Sequence, residues 1–363
     1  MNRLTFFLGT MSEGGAERVV SYLANGFCKK YSVTIVTFYK DEVFYELNQS
    51  IRVICIEDIT GSKSRIKNFF WLHHYLKKNS DLLISFLAPF NMFAIMSSWF
   101  TKVPVIVADR NDPHKVPHNS IARFLRNWLY SFSNHLVVQT TDNYNYFPRR
   151  IQRKCSVIYN PISLGQAVGK ALLSSCEPVI VSVGRLVPQK NFHLLIRAFS
   201  IVHKYHSNYR LLILGEGPER GRLEELIKQK GLSEWVYLPG KTKTVFDQLS
   251  KSELFVLSSY YEGMPNALIE AMCVGLPVIA TRVSGVSDLI QNHVNGMIVD
   301  IDDVEGLSQA ILFLIEHKNE ARQMAENAVM LNETLSIDSI LKQWESILTW
   351  KYENGDNHGF KRV

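Results

Sequence analysis

Cysteine is scarce, with five in 363 residues: Cys28, Cys55, Cys155, Cys176 and Cys273, without a CxxC pair or a nearby run of histidines. That spacing excludes a disulfide scaffold and a zinc module, and the thiols read as reduced and buried in a cytoplasmic protein. A secretory leader is not evident either. Met1-Asn2-Arg3-Leu4 enters an apolar run that breaks at Gly9, too short for a signal peptide's core and cleavage region. Residues 82–101 carry no charge, but Pro89 and Asn91 fall inside the run, and Ser85, Ser97 and Ser98 dilute it. This pattern predicts a buried parallel strand over 82–87 and a helix from near Asn91, in place of a membrane span. Aromatics interleaved with basic residues are too few for a single-strand nucleic-acid groove, so no nucleic-acid partner is expected.

What is present fits a globular protein, with 46% hydrophobic and 20% charged residues. The length suffices for two α/β domains, each with its own core. The net charge of +6 is unevenly placed. Residues 1–165 hold 20 Lys/Arg against 11 Asp/Glu, whereas residues 166–363 hold 20 against 23. A basic front half suggests an anionic partner there: nucleic acid, anionic lipid or a pyrophosphate-linked substrate.

Strand-length apolar runs alternate with amphipathic helical segments almost to the end of the chain. A first series lies at 4–8, 32–38, 52–56, 82–87, 103–108, 136–139 and 156–159, and a second at 179–184, 210–214, 235–238, 254–258 and 277–281. Such alternation implies βαβ units and parallel sheets. It lapses over 161–178, which carries Gly165, Gly169, Ser174 and Ser175. The expected organisation is therefore a first Rossmann-like domain at 1–162, a linker at 163–177, a second domain at 178–335 and a last helix with a tail at 336–363. The packing of that helix, over about 337–352, is not readable. Ligands in open parallel sheets sit beyond the strand C-termini, so two such domains facing each other make a cleft.

Three segments carry candidate chemistry. After the first strand comes Gly9-Thr10-Met11-Ser12-Glu13-Gly14-Gly15-Ala16-Glu17-Arg18, where Gly14 and Gly15 precede a helix and let backbone N–H groups approach a phosphate. A ligand-free βα turn has the same pattern. The second domain opens with Val183-Gly184-Arg185-Leu186-Val187-Pro188-Gln189-Lys190-Asn191, placing Arg185 and Lys190 at a strand end, where two cations suit a diphosphate leaving group. Solvated surface charges read alike. The third segment runs from Ser258 to Met272. It puts Glu262 in a loop after a strand and Glu270 eight residues later, on a helix with apolar neighbours that begins near Asn266. Gly263, Met264, Pro265 and Asn266 form a turn exposing backbone N–H groups to an anion or a sugar. A buried carboxylate such as Glu270 needs a partner, either ribose hydroxyls or a structural ion pair.

At this point the chain resembles the retaining GT-B glycosyltransferases of family 4. The resemblance rests on the Glu-x7-Glu pair at Glu262 and Glu270 and the Gly-Gly-Ala-Glu turn at residues 14–17. Gly184-Arg185-Leu186 with Lys190-Asn191, and Ile158-Tyr159-Asn160-Pro161 before the linker, complete it. It runs from about Arg3 to the last helix. It implies an α/β GT-B fold, two Rossmann-like domains facing each other across a cleft, and a nucleotide sugar, more specifically a UDP-sugar, as co-substrate. In the family's terms Glu262 binds donor-sugar hydroxyls with the help of the N–H groups of residues 263–266. Glu270 holds the ribose, Arg185 and Lys190 neutralise the diphosphate, and Gly15, beside Gly14, touches it from the first domain. The resemblance further implies retention of anomeric configuration by front-face attack and no metal or other cofactor. One position departs from the family: in Val107-Ala108-Asp109-Arg110-Asn111, Arg110 takes the place assigned to a His near the transferred sugar, and donor choice turns on it.

Two look-alikes are set aside. Gly215-Glu216-Gly217-Pro218-Glu219-Arg220-Gly221 has GxGxxxG spacing, not GxGxxG, and Pro218 removes an N–H, so no dinucleotide cofactor is expected. Asp300-Ile301-Asp302-Asp303 precedes a helix and reads as a cap rather than a metal site.

On the acceptor side, residues 64–78 form a basic-aromatic helix. Ile66, Phe69, Phe70, His73 and Leu76 share one face, and Lys67, Trp71, His74 and Lys78 another. This is either an ordinary packed helix or a contact with membrane headgroups or lipid pyrophosphate through Arg65, Lys67, Trp71 and Lys78, with Tyr75 beside Trp71 at the interface. With residues 84–87 it looks similar to family members that add GalNAc to undecaprenyl-diphosphate-linked oligosaccharides. Arg149, Arg150, Arg153 and Lys154 form a second basic cluster. The expectation is a hexosyl- or N-acetylhexosaminyltransferase acting on a polyprenyl-diphosphate-linked glycan of bacterial surface polysaccharide, such as O-antigen or capsule. It works peripherally on the inner face of the cell membrane, with an anionic membrane surface as a partner. The competing classes are a non-transferring GT-B enzyme such as a UDP-sugar epimerase, and a basic membrane- or nucleic-acid-binding scaffold.

Overall fold

The computed structural model describes residues 2–163, 167–173, 176–242 and 244–353, with side chains to Leu348 in the last helix. The chain divides into two compact units, Met1–Pro161 with Ser336–Val363, and Ile162–Leu335.

The first unit is built on seven strands: β1 (Arg3–Leu8), β2 (Ser32–Thr37), β3 (Arg52–Cys55), β4 (Leu82–Phe86), β5 (Val105–Ala108), β6 (His135–Val138) and β7 (Cys155–Val157). All pairs are parallel, in the order β3-β2-β1-β4-β5-β6-β7. The central strands are near-continuous apolar runs because helices cover both faces. Every residue of β4 and β5 is buried. The strand reading of 82–87 holds, but its helix starts earlier than expected, at Ala88 with Pro89 in the first turn, and runs to Ser98. No helix among the described residues is long and apolar enough to cross a membrane.

The second unit carries β8 (Val179–Val183), β9 (Arg210–Leu214), β10 (Val236–Gly240), β11 (Leu254–Leu257), β12 (Val278–Thr281) and β13 (Met297–Val299). These six strands are also parallel, ordered β10-β9-β8-β11-β12-β13. In both sheets the strand order reverses once, between β1 and β4 and between β8 and β11, and that crevice is where open α/β sheets take their ligands.

The last helix, Ile337–Glu353, belongs to the first unit although it follows the second in sequence. Ile340, Trp344 and Leu348, spaced at i, i+4 and i+8, are buried against the β1 side of the sheet, and Trp344 stacks on Phe86 at 6.0 Å. The expected linker is not all irregular. Residues 170–173 form a short helix, and the Gly169 N–H donates to Cys273 O at 2.9 Å within the second unit. Gly165, Ser174 and Ser175 lie outside the described residues. The cysteines also differ from expectation: only Cys273 is buried and Cys176 is exposed, though none of the five forms a disulfide.

Candidate active site

Three loops at the C-terminal ends of β8, β9 and β11 build the site of the second unit. After β8 the chain turns through Gly184 and Arg185 into a 3-10 turn, Pro188–Lys190. The β9 loop presses on it. Gly215 has φ +150°, and a Cβ there would lie 1.9 Å from Gly184 O, so only glycine fits. The Leu186 N–H donates to Glu216 O at 2.9 Å, and the Glu219 N–H to Leu186 O at 3.0 Å. Arg185 is thereby held at the strand end, exposed, with no ion-pair partner among the described residues.

Lys190 closes onto the β11 loop. Its Nζ donates to Glu262 Oε1 at 2.6 Å, and the Ser259 hydroxyl donates to the same oxygen at 2.6 Å. Glu262 is only 6% exposed, so this is a mostly desolvated pair whose loss of either member is costly. Its second oxygen, Oε2, has no partner among the described residues. Lys190 has three donors, and one is used here. The surroundings are also tied. Ser258 Oγ donates to Lys190 O at 2.9 Å, Gln189 Nε2 to Tyr261 O at 2.8 Å, and Thr281 Oγ1 to Ser259 O at 2.7 Å. Asn191 adopts a left-handed conformation, φ +46°, and its amide donates to Asp302 Oδ1 at 2.9 Å. That strained residue ends the turn carrying Lys190 and starts the next helix.

The helix Asn266–Val274 follows, with Pro265 before it and no side-chain cap. The N–H groups of Gly263 and Met264 have no acceptor among the described residues, but the rest of the expected set is absent: the Asn266 N–H donates to Met264 O at 2.9 Å and Pro265 has no N–H. Met264 and Pro265 are buried beside them. Glu270, 8% exposed, lies farther along this helix among buried apolar residues. Burial first, and the Glu270 charge second, push the Cys273 thiol up to about 12.

In the first unit, Gly14 caps the helix Gly15–Phe27 in extended conformation, and Tyr45 OH donates to Gly14 O at 2.9 Å. The turn already carries a carboxyl group. A Cβ on Gly14 would lie 2.1 Å from Glu17 Oε2, and burial raises the Glu17 carboxyl while its own N–H opposes that. A helix N-terminus favours such a carboxylate, so a phosphate arriving at Gly14 and Gly15 meets Glu17.

Arg110 follows β5. Its Nη1 donates to Asn160 Oδ1 at 3.0 Å, and Gln139 Nε2 donates to the same oxygen at 2.6 Å. The guanidinium lies over Phe86 at 5.2 Å and Trp344 at 5.7 Å. Nε and Nη2, the other side of the fork, are buried without a partner. Burial lowers this group to about 9 against the opposing Asp109 charge, so it stays charged at neutral pH.

The acceptor-side helix Arg65–Asn79 packs differently from its sequence pattern. Asn68, Leu72, Tyr75 and Leu76 are buried, whereas Ile66 and Phe70 are exposed. The stripe is shifted because Thr60 Oγ1 donates to Asn68 Oδ1 at 2.8 Å, anchoring a polar residue inward. Tyr75 is therefore a core residue and not an interfacial one. Trp71 is half-buried and stacks on it at 5.1 Å, while Arg65, Lys67 and Lys78 are exposed.

Lys190 and Glu262 are thus in contact, with Arg185 and the 263–266 turn on the same edge of the sheet. Gly14, Gly15 and Arg110 lie in the other unit. Ser259, Gln189 and Asn160 had drawn no expectation of their own at the site. Ser259, next to the Glu262 turn, had a signal in the Ser-Ser pair ending an apolar strand. Around the acids, Asp303 caps the helix Val304–Glu316 by accepting from Gly306 N at 2.8 Å, and Asp300 pairs with Arg282 at 3.0 Å. No cluster of metal ligands occurs among the described residues.

Two Rossmann-like units, one with two cations at its strand-end edge beside a buried carboxylate, define a GT-B architecture. Residues 13–166 match the model of Glycosyltransferase Family 4, and residues 168–329 that of Glycosyl transferases group 1. The chain is built of these two glycosyltransferase domains and is a glycosyltransferase. It is 29% identical to a Campylobacter jejuni N-acetylgalactosaminyltransferase, GalNAc-alpha-(1->4)-GalNAc-alpha-(1->3)-diNAcBac-PP-undecaprenol alpha-1,4-N-acetyl-D-galactosaminyltransferase, over 96% of this chain and 98% of that protein. It is also 29% identical to the same organism's N-acetylgalactosamine-N,N'-diacetylbacillosaminyl-diphospho-undecaprenol 4-alpha-N-acetylgalactosaminyltransferase, over 90% and 95%. The fold matches Anabaena HepE in complex with UDP and glucose, with a TM-score of 0.81, 19% identity and coverage of 96% of this chain and all of that one.

Proposed function

We propose that this glycosyltransferase moves a hexose or N-acetylhexosamine from a UDP-sugar, with retention and without a metal, to a polyprenyl-diphosphate-linked oligosaccharide at an anionic membrane surface. The observation that carries this reading is the Lys190–Glu262–Ser259 cluster. One carboxylate oxygen is fixed by two donors, and the other is left to accept from a sugar hydroxyl. The Lys190 ammonium keeps donors for a diphosphate, and Arg185 stands unpaired on the same edge. Two cations stabilise the charge that develops on a departing UDP. The acceptor hydroxyl attacks the anomeric carbon from the face that the phosphate leaves, and the leaving phosphate takes its proton, so neither an enzyme nucleophile nor a separate base is required. Glu270 holds the ribose. Arg110, whose Nε and Nη2 are without partners, contacts the donor sugar or an anionic group of the acceptor once these atoms are uncovered. Gly14 and Gly15 approach the diphosphate once Glu17 swings aside. Support for the acceptor class comes from the Campylobacter relatives, whose names specify undecaprenol-linked glycans, and for UDP from the HepE complex.

The test is thermal stabilisation by a panel of nucleotide diphosphates and nucleotide sugars, with and without EDTA, followed by transfer to a polyprenyl-diphosphate glycan and NMR of the new anomeric centre. EDTA-insensitive stabilisation by UDP and one UDP-sugar, with an α product from an α donor, is expected. Stabilisation by a different nucleotide, EDTA sensitivity or an inverted product would overturn the corresponding part.

A further inference from the structure

The helix Ser120–Tyr130 turns Arg126, Leu129 and Tyr130 inward. Arg126 on it is fully buried, donating from Nη1 to Val116 O at 2.6 Å and from Nη2 to Pro113 O at 3.2 Å, with Asp109 Oδ2 3.8 Å away. The opposite stripe, Ile121, Phe124, Leu125 and Trp128 at i, i+3, i+4 and i+7, faces solvent, and Ile121 and Phe124 are each 74% exposed. The stripe continues past the helix end. Phe132 packs on Trp128 at 5.0 Å and on Trp99 at 6.0 Å, and Phe100, beside Trp99, is 88% exposed. A connected aromatic surface of this kind marks an interaction site.

Charge identifies what covers it. Between Asp112 and Asp142 the sequence has no carboxylate, while Lys102, Lys115, Arg123, Arg149, Arg150 and Arg153 lie on or near this stretch. Lys154 ties the Phe132 loop to the second basic cluster by donating to Ser131 O at 2.7 Å. Exposed aromatic and aliphatic side chains flanked by cations without carboxylates complement an anionic bilayer, with the apolar stripe in the headgroup boundary and the cations at the lipid phosphates.

We propose that the outward face of the helix Ser120–Tyr130, with Phe132, Trp99 and Phe100, is the surface on which the protein lies against an anionic membrane. This rests on the membrane partner of the proposed function and relocates its main contact from the helix Arg65–Asn79.

The experiment is flotation of the full chain with phosphatidylglycerol/phosphatidylethanolamine vesicles and with pure phosphatidylcholine vesicles. It compares the unaltered protein, a Phe124→Ser/Trp128→Ser variant and an Arg65→Glu/Lys67→Glu variant, with melting temperature and light scattering alongside. The unaltered protein should prefer anionic vesicles. Phe124→Ser/Trp128→Ser should cut partitioning about tenfold or more. Its melting temperature should fall only slightly, by the lost contact of Trp128 with Phe132, and its UDP stabilisation should hold. If that variant binds normally while Arg65→Glu/Lys67→Glu abolishes binding, this assignment falls and the membrane reading stands. If the unaltered protein binds no vesicles, both fall. A dimer that Phe124→Ser/Trp128→Ser converts to monomer would assign the face to a second copy of the chain. Nucleotide stabilisation is read separately, so failure of the donor assignment is distinguishable from each of these.

Discussion

The two units share one topology and diverge at the strand ends. In the second, the switch point between β8 and β11 holds a closed set of interactions: Lys190 on Glu262, Ser259 on the same oxygen, and Gly215 wedged on Gly184. In the first, the corresponding edge holds an incomplete set. Arg110 is anchored on one side by Asn160 and left without partners on the other, and Glu17 covers the glycine turn. A pre-organised edge suits a substrate part that is always the same, the nucleotide diphosphate. The unpartnered donors of Arg110 suit the part that varies among related enzymes. The largest test of this contrast is Glu262→Ala. Loss of a group that grips the sugar as charge develops should lower kcat by about a thousandfold or more, while UDP affinity stays within about threefold because Lys190 is released to the diphosphate. Activity near that of the unaltered protein would remove Glu262 from the site. Arg185→Ala should do the opposite to binding, weakening UDP by about 2 kcal/mol, some thirtyfold, together with transfer. Calorimetric titration with UDP separates the two.

The closed set also depends on backbone fit. Gly215→Ala puts a Cβ into Gly184 O in a conformation L-residues avoid, and should cost more than about 2 kcal/mol as well as displacing Arg185. Gly231→Ala, at φ +70° with open space around it, isolates the conformational part and should cost about 1 kcal/mol. Equal losses in chemical denaturation would mean that the contact with Gly184 contributes nothing. On the incomplete edge, Arg110→Met should lower kcat/KM about tenfold and leave the melting temperature unchanged or higher, since it removes a buried charge with unmet hydrogen bonds. A large drop in stability with normal kinetics would make Arg110 an anchor of Asn160 and nothing more.

How much of this was legible in the sequence follows the same division. Parallel strands buried on both faces leave an unbroken apolar signal, so β4, β5, β8 and β11 could be read directly, and the acids and cations at their ends fell at fixed offsets from them. The Glu262–Lys190 contact could not be read, because it joins residues brought together only by the sheet order. The helix Arg65–Asn79 was misread for a different reason. Periodicity reports which residues share a face but not which face is inward, and a buried polar anchor reverses the sense. Asn68, held by Thr60, turns Ile66 and Phe70 out of the helix Arg65–Asn79. Arg126 does the same to Phe124 and Trp128. The docking of the last helix on the first unit likewise depends on Trp344 finding Phe86, a pairing without a local signal.

The smallest expected effect separates the units by pH. His135, at the start of β6, is partly buried with Nε2 3.0 Å from Ser156 Oγ, and burial, aided by the Lys154 charge, lowers it to about 4. In the unfolded chain it titrates near 6.5. The folded state therefore binds fewer protons than the unfolded state between those values, and stability rises with pH across that window. Full stabilisation is present above about 6.5 and falls by about 1 kcal/mol per pH unit on acidification toward 4. Asp81, which Arg3 holds at about 2, loses its contribution only below the usual carboxylate range and does not interfere. His193 of the second unit is also shifted down by burial, so some slope should survive. His135→Gln should flatten the melting temperature between pH 5.5 and 6.5, and His193→Gln should flatten only the remainder. If the His135→Gln slope matched that of the unaltered protein, the pH sensitivity would belong to the second unit, and the contrast between a settled second unit and an unsettled first would fail on stability.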